Sequence, residues 1–257
     1  MIDSPDIGTG ALLFVAGLFA GALSAVAGGA SFFTFPALLS SGLPPLVANA
    51  TNFVALVPSN FAALPAFRPE LRLLGPRLLP PIAVGAVGGV LGALALLHLG
   101  GDLFASAVPY LMGGATLLFA VAPSVRRWSE RHRPAAGEGA TPAGLALLFV
   151  FSIYGGYFGA GLGQIVLAVM ILNGYSDYHL TNALKNAVVA AVSLLSVVLY
   201  ALSGAVSWPH ALIMMAGATA GGYLGGSLSK LVPQRALRVG VIVFGTLLTG
   251  YYFWSAS

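Results

Sequence analysis

The chain is a succession of long apolar runs separated by short polar stretches. Eight runs can be distinguished, at about 8–41, 46–66, 78–99, 103–122, 143–174, 180–203, 209–229 and 236–254. A helix rises about 1.5 Å per residue and needs about 20 apolar residues to cross a bilayer. Six runs have that length, whereas the first and fifth are longer and are interrupted by glycine. The runs are too long for barrel strands and lack strand alternation. The pattern therefore predicts an all-α polytopic membrane protein.

Three short motifs recur at a common spacing of 133 residues. The matched segments are AGGAS at 27–31 with AGLGQ at 160–164, Asn49-Ala50 with Asn182-Ala183, and the glycine-rich segments 88–92 and 221–225. A shared offset of this kind indicates an internal repeat. We predict a first half at 1–123, a basic cytoplasmic linker at 124–142 and a second half at 143–257, which form one integrated membrane domain. Glycine-broken apolar segments at corresponding places of two halves are typical of the binding site of a secondary transporter.

Basic residues lie at opposite ends of equivalent helices in the two halves. In the first half they precede the Gly88 helix, and in the second half they follow the Gly221 helix; the two clusters are Arg68, Arg72 and Arg77, and Lys230, Arg235 and Arg238. Because cytoplasmic loops carry the excess of Lys and Arg, the repeats are predicted to be inverted. Inversion requires an odd number of crossings in each half. We therefore expect three transmembrane helices and one re-entrant, glycine-broken hairpin per half, with both termini outside. The alternative is eight simple crossings, which places the second basic cluster outside.

Composition supports a lipid environment and narrows the partners. Hydrophobic residues make up 58% of the chain and charged residues 7%, whereas soluble domains carry about 25% charged residues. The net charge of +4 comes from short basic clusters between apolar runs, so no nucleic-acid partner is expected. The chain has no cysteine, which excludes disulfides and thiolate metal sites. We expect no cofactor and no metal. The acidic N-terminus lacks the basic region of a cleaved signal peptide, so the first run is expected to remain in the mature protein.

The two glycine breaks are the candidate substrate site. A helix that begins inside the membrane presents free N–H groups and a positive dipole end, which bind anions. Non-helical backbone at that depth is tolerated only where it lines a cavity or is buried in protein. Polar helix starts follow both breaks, so we predict substrate contacts from Gly28, Gly29, Ser31, Asn49, Thr51, Asn52, Gly161, Gly163, Gln164, Asn182, Lys185 and Asn186. The alternative is that the hairpins pack against each other without a ligand.

Lys185 lies more than one turn inside an apolar run, whereas the arginine of the last run, Arg238, lies within three residues of the run's start. Two interpretations of Lys185 are open: it contacts substrate, or it extends to the cytoplasmic surface along its aliphatic stem. Asn182 lies three residues before Lys185 and four before Asn186, so it is close to both on the helix surface. Extension to the membrane surface does not require such a polar stripe. No carboxylate lies in a predicted spanning segment, although cation carriers and proton pumps usually need buried acids. These features favour a small anion as substrate.

The glycine pairs on the third helix of each half have a structural interpretation. Small residues four positions apart let helix backbones approach closely in lipid. The pairs are Gly85/Gly89, Gly88/Gly92, Gly217/Gly221 and Gly221/Gly225. We predict that they pack helices rather than bind substrate.

The absence of catalytic motifs argues against an enzyme. The chain contains no GxSxG, no HExxH and no paired intramembrane carboxylates. An anion channel remains an alternative, because the same hairpins could line a pore. The oligomeric state, including a homo-oligomer, is not decided by the sequence.

Three segments resemble the TauE/SafE sulfite-exporter family, also called the 4-toluene sulfonate uptake permeases. They are residues 20–60 (from AGALSAVAGGASFF to VALVPSN), NALKN at 182–186 and WPHALIMMAGATAGGYLGGSLSKLVP at 208–233. The resemblance implies a bacterial inner-membrane carrier of sulfite, sulfonates such as sulfoacetate, or related small organic anions, in either direction. Where the family often has a longer second glycine cluster, this chain has GAGLGQ, so Gln164 is expected to affect selectivity. A carrier of a non-sulfur organic anion is the alternative.

Overall fold

The computed structural model describes residues 5–26, 29–62, 64–131, 141–175, 177–228 and 234–255, and within these ranges every regular element is helical. The α-helices are α1 (Ile7–Val26), α2 (Ser31–Ser40), α3 (Pro45–Ala62), α4 (Arg68–Leu74), α5 (Leu79–Arg131), α6 (Pro142–Tyr157), α7 (Leu162–Leu172), α8 (Tyr178–Leu202), α9 (Trp208–Leu228) and α10 (Gln234–Ser255). Backbone angles of φ 84° and ψ 169° at Gly100 break α5. We call its two parts α5a (79–99) and α5b (101–131). The prediction of an all-helical chain is confirmed.

Helix lengths separate crossing segments from short ones. In the described residues, three stretches are long and apolar enough to cross a membrane: Pro45–Ser124, His179–Leu202 and Leu237–Trp254. The α2 and α7 helices have 10 and 11 residues, or about 15 Å at 1.5 Å per residue, which is half a crossing. Large apolar side chains face outward, among them Leu117 at 63% and Trp254 at 86% exposed. Lipid is the natural solvent for such a surface.

The second broken segment is a hairpin that returns to the end where it started. The Thr141 hydroxyl, which caps the start of α6 by accepting from Gly144 N, also donates to Asn173 Oδ1 just after α7 at 2.8 Å. In the first half α2 folds back along α1, as shown by the rings of Phe19 on α1 and Phe33 on α2, whose centroids lie 5.0 Å apart. At 20 residues, however, α1 is long enough for about 30 Å. The depth of these hairpins in the bilayer stays a prediction.

The two halves share their order of helices and exchange packing partners. The series α1, α2, α3, α5a, α5b corresponds to α6, α7, α8, α9, α10. The first helix of each half packs on the fourth of the other, since α1 lies against α9 and α6 against α5. Asn60 Nδ2 donates to Ser193 Oγ at 3.0 Å, and these positions are 133 residues apart (193 − 60). Equivalent residues of the halves therefore meet where α3 passes α8. The orientation of each half in the membrane stays a prediction.

Glycines create these close helix contacts, as the spacing predicted. A Cβ added at Gly92 would collide with the carbonyl oxygen of Ile153 on α6, and one at Gly88 would lie 2.7 Å from Ser152 Cβ. On the other side of the molecule, a Cβ at Gly221 would collide with the carbonyl oxygen of Leu18 on α1. The structural interpretation of these glycines is confirmed for the positions whose surroundings are described. Gly225 lies in α9, but its surroundings are outside the description.

The last helix of the first half extends into the predicted linker. Helix α5 continues to Arg131, so the first part of the predicted linker, 124–131, is helical. The polar segment that begins at Ser124 contains no glycine or proline before Pro134, and charged residues can continue a helix beyond the lipid because water satisfies their side chains. Residues 132–140 lie outside the described part of the chain.

Candidate functional site

The first break is a tightly packed backbone turn next to α5b and α10. Gly29 has φ +88°, a left-handed conformation that only glycine adopts at low cost. A Cβ there would lie 3.3 Å from atoms of Phe32 and Val241 and 3.5 Å from Phe119. The rings of Phe32 and Phe119 pack edge to face, with centroids 5.9 Å apart. Gly28, also a predicted site residue, lies outside the described residues.

The second break contains two left-handed glycines. Gly159 has φ +76° and Gly161 has φ +75°. A Cβ at Gly159 would lie 2.7 Å from Phe53 Cζ of α3, and one at Gly161 would lie 3.8 Å from the carbonyl oxygen of Ala115 of α5b. Between the two glycines, Ala160 O accepts a hydrogen bond from the Tyr154 hydroxyl at 2.8 Å. Gly163 belongs to α7, and no atom lies within 4 Å of a Cβ placed there.

Both breaks border the same face of α5b. A Cβ placed at Gly29 would lie 3.5 Å from Phe119, and one placed at Gly161 would lie 3.8 Å from the carbonyl oxygen of Ala115. Residues four apart lie on one helix face. The hairpins also touch directly, because Phe35 of α2 packs edge to face on Phe158 at 5.4 Å. The structure thus brings the breaks of the two halves together.

A buried hydrogen-bond cluster joins the first hairpin to α3. Asn52 Nδ2 donates to Ser31 Oγ at 3.3 Å, and the Thr34 hydroxyl donates to Asn52 Oδ1 at 2.5 Å. Asn52 and Thr34 are almost fully buried. Ser31 and Asn52 were both predicted to be site residues, and the structure places them in contact. Thr34 was missed, although its position three residues after Ser31 puts it on the same face of α2.

The other two predicted residues of α3 contact different parts of the second half. The Thr51 hydroxyl accepts from Ser207 N at 3.0 Å, and Ser207 Oγ lies 2.7 Å from Nδ1 of buried His210. Thr51 is therefore at the junction with α9 rather than at a break. Asn49 Nδ2 donates to the carbonyl oxygen of Tyr157 at 2.9 Å, at the end of α6.

A tyrosine that was not among the predicted site residues also forms a hydrogen bond to the end of α6. The hydroxyl of Tyr200, which is fully buried on α8, donates to the carbonyl oxygen of Gly156 at 2.5 Å. Helix-terminal carbonyls lack intrahelical partners, so Asn49 and Tyr200 satisfy two carbonyls immediately before the second break. A buried tyrosine usually has a hydrogen-bond partner, but the sequence does not reveal which.

The predicted polar residues of the second half lie on α8 and are more exposed to solvent or lipid than those of α3. Asn182, Lys185 and Asn186 are half-buried. Within the part of the chain that the structure describes, no hydrogen bond or ion pair engages these three side chains. The helix begins at Asp177, whose Oδ1 accepts from His179 N at 2.7 Å and from Leu180 N at 2.9 Å. Gln164 is half-buried in the first turn of α7.

A second cation lies near the first break. Arg238, which the sequence placed with the loop anchors, is half-buried on α10. Its Nη2 donates to the carbonyl oxygen of Phe119 at 2.5 Å, and its guanidinium carbon lies 5.1 Å from the centre of that ring. A Cβ placed at Gly29 would lie 3.5 Å from Phe119, so Phe119 lies between the arginine and the first break. Arg238 was missed because its partner is 119 residues away in sequence.

The charge pattern of this region suits an anion. Helices α1, α2, α3, α6 and α7 contain no Asp, Glu, Lys or Arg. Lys185 lies on α8, which packs against the neutral helices α3, α6 and α7 and also against α4 and α5. Arg238 lies on α10, which packs against α5 and α2. Over the described ranges no group of His, Asp or Glu side chains is placed to hold a metal ion.

Comparison with known proteins gives a consistent result. The family model for the sulfite exporter TauE/SafE matches residues 13–252. The chain is 29% identical over 243 residues to a probable membrane transporter protein of Haemophilus influenzae, covering 93% of this chain and 92% of the relative. It is 32% identical over 221 residues to the probable membrane transporter protein ORF9 of Sinorhizobium sp, covering 84% and 81%. It is 28% identical over 245 residues to the probable membrane transporter protein YfcA of Escherichia coli K12, covering 93% and 87%. No solved structure matches the chain.

Proposed function

Since this chain belongs to the sulfite exporter TauE/SafE family, we propose that it is a secondary transporter of small anions, with sulfite or organosulfonates such as sulfoacetate as substrates. The observation that carries the proposal is the meeting of two glycine breaks, one from each half, on a single face of α5b. Broken helices at the interface of two repeats are where secondary transporters bind their substrates.

The anion binds between the two breaks in this proposal. The positive dipole ends of α2 and α7 face its oxygens, as helix N-termini do for anionic groups. Several first-turn amides, among them Phe32 N and Leu162 N, already donate to carbonyl oxygens of the breaks, so the helix dipoles rather than these amides attract the anion. Lys185 supplies a charged donor from α8, while Ser31 and Gln164 add polar side chains at the two starts. Arg238 adds positive charge at longer range, because its guanidinium lies against Phe119 and does not touch the anion. The mixture of charge and neutral donors fits an oxyanion better than a metal cation, which needs oxygen ligands.

The proposed topology has two inverted repeats, each with three spanning helices and one re-entrant hairpin, in the bacterial inner membrane. Every basic cluster then faces the cytoplasm, as the positive-inside rule requires. Because the chain lacks cysteine, the single variants Ile2→Cys and Ala256→Cys report on the termini without background. Labelling of both by a membrane-impermeant reagent from outside supports the topology, and labelling only after permeabilisation contradicts it.

Transport is tested with the purified protein in liposomes. We expect saturable uptake of labelled sulfite or sulfoacetate, and acceleration of that uptake by unlabelled substrate on the opposite side, which is the property of a carrier. Unitary currents across a planar bilayer would instead identify an anion channel. Flux of carboxylates without flux of any sulfur anion would identify a carrier of non-sulfur organic anions.

A further inference from the structure

The side-chain oxygen of Asn49, a residue of α3 that lies next to the end of α6, has no hydrogen-bond donor among the described residues. Asn49 is fully buried, and its Nδ2 donates to the carbonyl oxygen of Tyr157. This bond fixes the orientation of the amide, because a carbonyl oxygen can accept a hydrogen bond only from the nitrogen end. The opposite atom, Asn49 Oδ1, is therefore an acceptor in a known place, and no hydrogen bond reaches it.

This oxygen lies beside the second break. Tyr157, to which the amide is bound, is the last residue of α6 and precedes the break directly. Phe53, one turn further along α3, packs against Gly159 within the break. The rings of Phe53 and Tyr200 lie 5.4 Å apart, and the Tyr200 hydroxyl donates to the carbonyl oxygen of Gly156, so α3 is linked to the end of α6 through α8.

The chemistry of Asn49 Oδ1 differs from that of the other groups proposed to bind substrate. Helix N-termini attract anionic oxygens, and Lys185 and Ser31 can donate to them. An amide oxygen only accepts, so it gains nothing from an anionic oxygen. A buried acceptor left without a donor is costly, and a leucine of similar size would avoid that cost.

We propose that Asn49 Oδ1 accepts a hydrogen bond from an O–H or N–H group of the substrate, so that the site selects small anions that carry a donor beside their anionic oxygens. This inference rests on the proposed function, since it assigns a substrate class to the same site. Within that class, sulfonates that carry a hydroxyl or amino group should bind more tightly than sulfoacetate, whose two acidic groups carry no proton at neutral pH. A paired rather than unpaired buried acceptor should favour the donor-bearing anion by about 5- to 150-fold in affinity.

Two matched pairs of anions test the preference on the purified full-length protein. The first pair is 2-hydroxyethanesulfonate and propane-1-sulfonate, which differ by a hydroxyl in place of a methyl. The second pair is 3-hydroxypropanoate and butanoate. Equilibrium binding in one detergent should favour the hydroxylated member in the wild type. In Asn49→Leu the two members of a pair should bind alike.

Tyr200→Phe is the matched control for the structural role of Asn49. It removes the neighbouring hydrogen bond to the end of α6 and leaves Asn49 Oδ1 in place, so it should weaken both members of a pair by the same factor. Asn49→Gln keeps both amide groups and moves them by one methylene. It should reduce the preference even where Asn49→Leu does not fold.

The outcomes separate this inference from the proposed function. Equal wild-type affinity for the two sulfonates overturns the inference and leaves the transporter of sulfonates intact. A preference that survives in Asn49→Leu and Asn49→Gln also overturns it. Binding of 3-hydroxypropanoate over butanoate, with no sulfonate bound, supports the inference and overturns the sulfur substrate. Binding of sulfite or sulfoacetate without any of the four test anions overturns the inference alone, and failure of all six anions to bind overturns both.

Discussion

The polar positions around the two breaks are matched in sequence but differ in their partners. In the first half Ser31, Thr34 and Asn52 are joined by hydrogen bonds. The positions 133 residues later are Gln164, Leu167 and Lys185. Leu167 is apolar and buried, so the counterpart of the Thr34–Asn52 bond cannot form. The same repeat therefore uses its polar residues to fix a hairpin in one half and presents a cation in the other.

The largest expected effect comes from filling a break. Gly161→Leu should abolish transport, because a leucine at φ +75° is strained and its side chain occupies the space between α7 and α5b. Gly29→Leu should do the same at the first break. Initial uptake rates in liposomes measure both effects, at equal amounts of inserted protein.

Gly204→Leu is the matched control for backbone strain. Gly204 has φ +73° and open space around a Cβ, and it lies in the α8–α9 connection rather than in a break. This variant should be destabilised and still transport. Normal transport by both Gly29→Leu and Gly161→Leu would remove the substrate from the breaks.

The next effect is on affinity through Lys185. Lys185→Ala should weaken binding of the anion by about 10- to 150-fold, since a hydrogen bond to a charged group contributes about 1.5–3 kcal/mol. Lys185→Arg should retain part of the affinity, although its planar fork differs in shape from an ammonium. Arg72→Ala, which removes an exposed cation of α4, is the control. Unchanged affinity in folded Lys185→Ala would mean that the lysine only extends to the membrane surface.

Asn52→Leu should lower the stability of the protein, whereas Lys185→Ala should lower its affinity for the anion. Asn52→Leu removes two buried hydrogen bonds between α3 and the first hairpin, so the free energy of unfolding should fall by about 1–3 kcal/mol. Thermal melting in the same detergent measures the change. Lys185→Ala should leave the melting temperature nearly constant. Equal losses of stability in the two variants would abolish the distinction between the halves.

The smallest effect concerns how the two polar helices begin. Asp177→Ala should lower stability by about 1 kcal/mol, because the carboxylate accepts from two free N–H groups of α8. The matching position in the first half (177 − 133 = 44) is Pro44, which has no side-chain acceptor. Pro44→Ala should therefore lack this loss. Melting curves of both variants, recorded side by side, check the difference.

Features that depend on local pattern could be predicted from the sequence. The helical class follows from the length of the apolar runs. The breaks and the close helix contacts follow from glycine, because its missing side chain frees the backbone and allows close approach at any position. Residues whose roles depend on distant partners were missed. Tyr200 binds Gly156, 44 residues away, and Arg238 binds Phe119. Asn49 was predicted because of the repeat, but its partner Tyr157 lies 108 residues away and is brought to it only by the folded arrangement of the two halves.

The exchange of helices between the halves has a consequence for how the protein is made. Gly17 of α1 packs against Met214 of α9, which is 197 residues later (214 − 17). At about 5–20 residues per second, the ribosome needs about 10–40 s to supply that partner. During this interval the face of α1 that carries Gly17 and Gly21, which packs on α9 in the folded protein, has no partner helix. A ribosome stalled before residue 208 therefore leaves a nascent chain in which α1 cannot make the contact that its glycines serve.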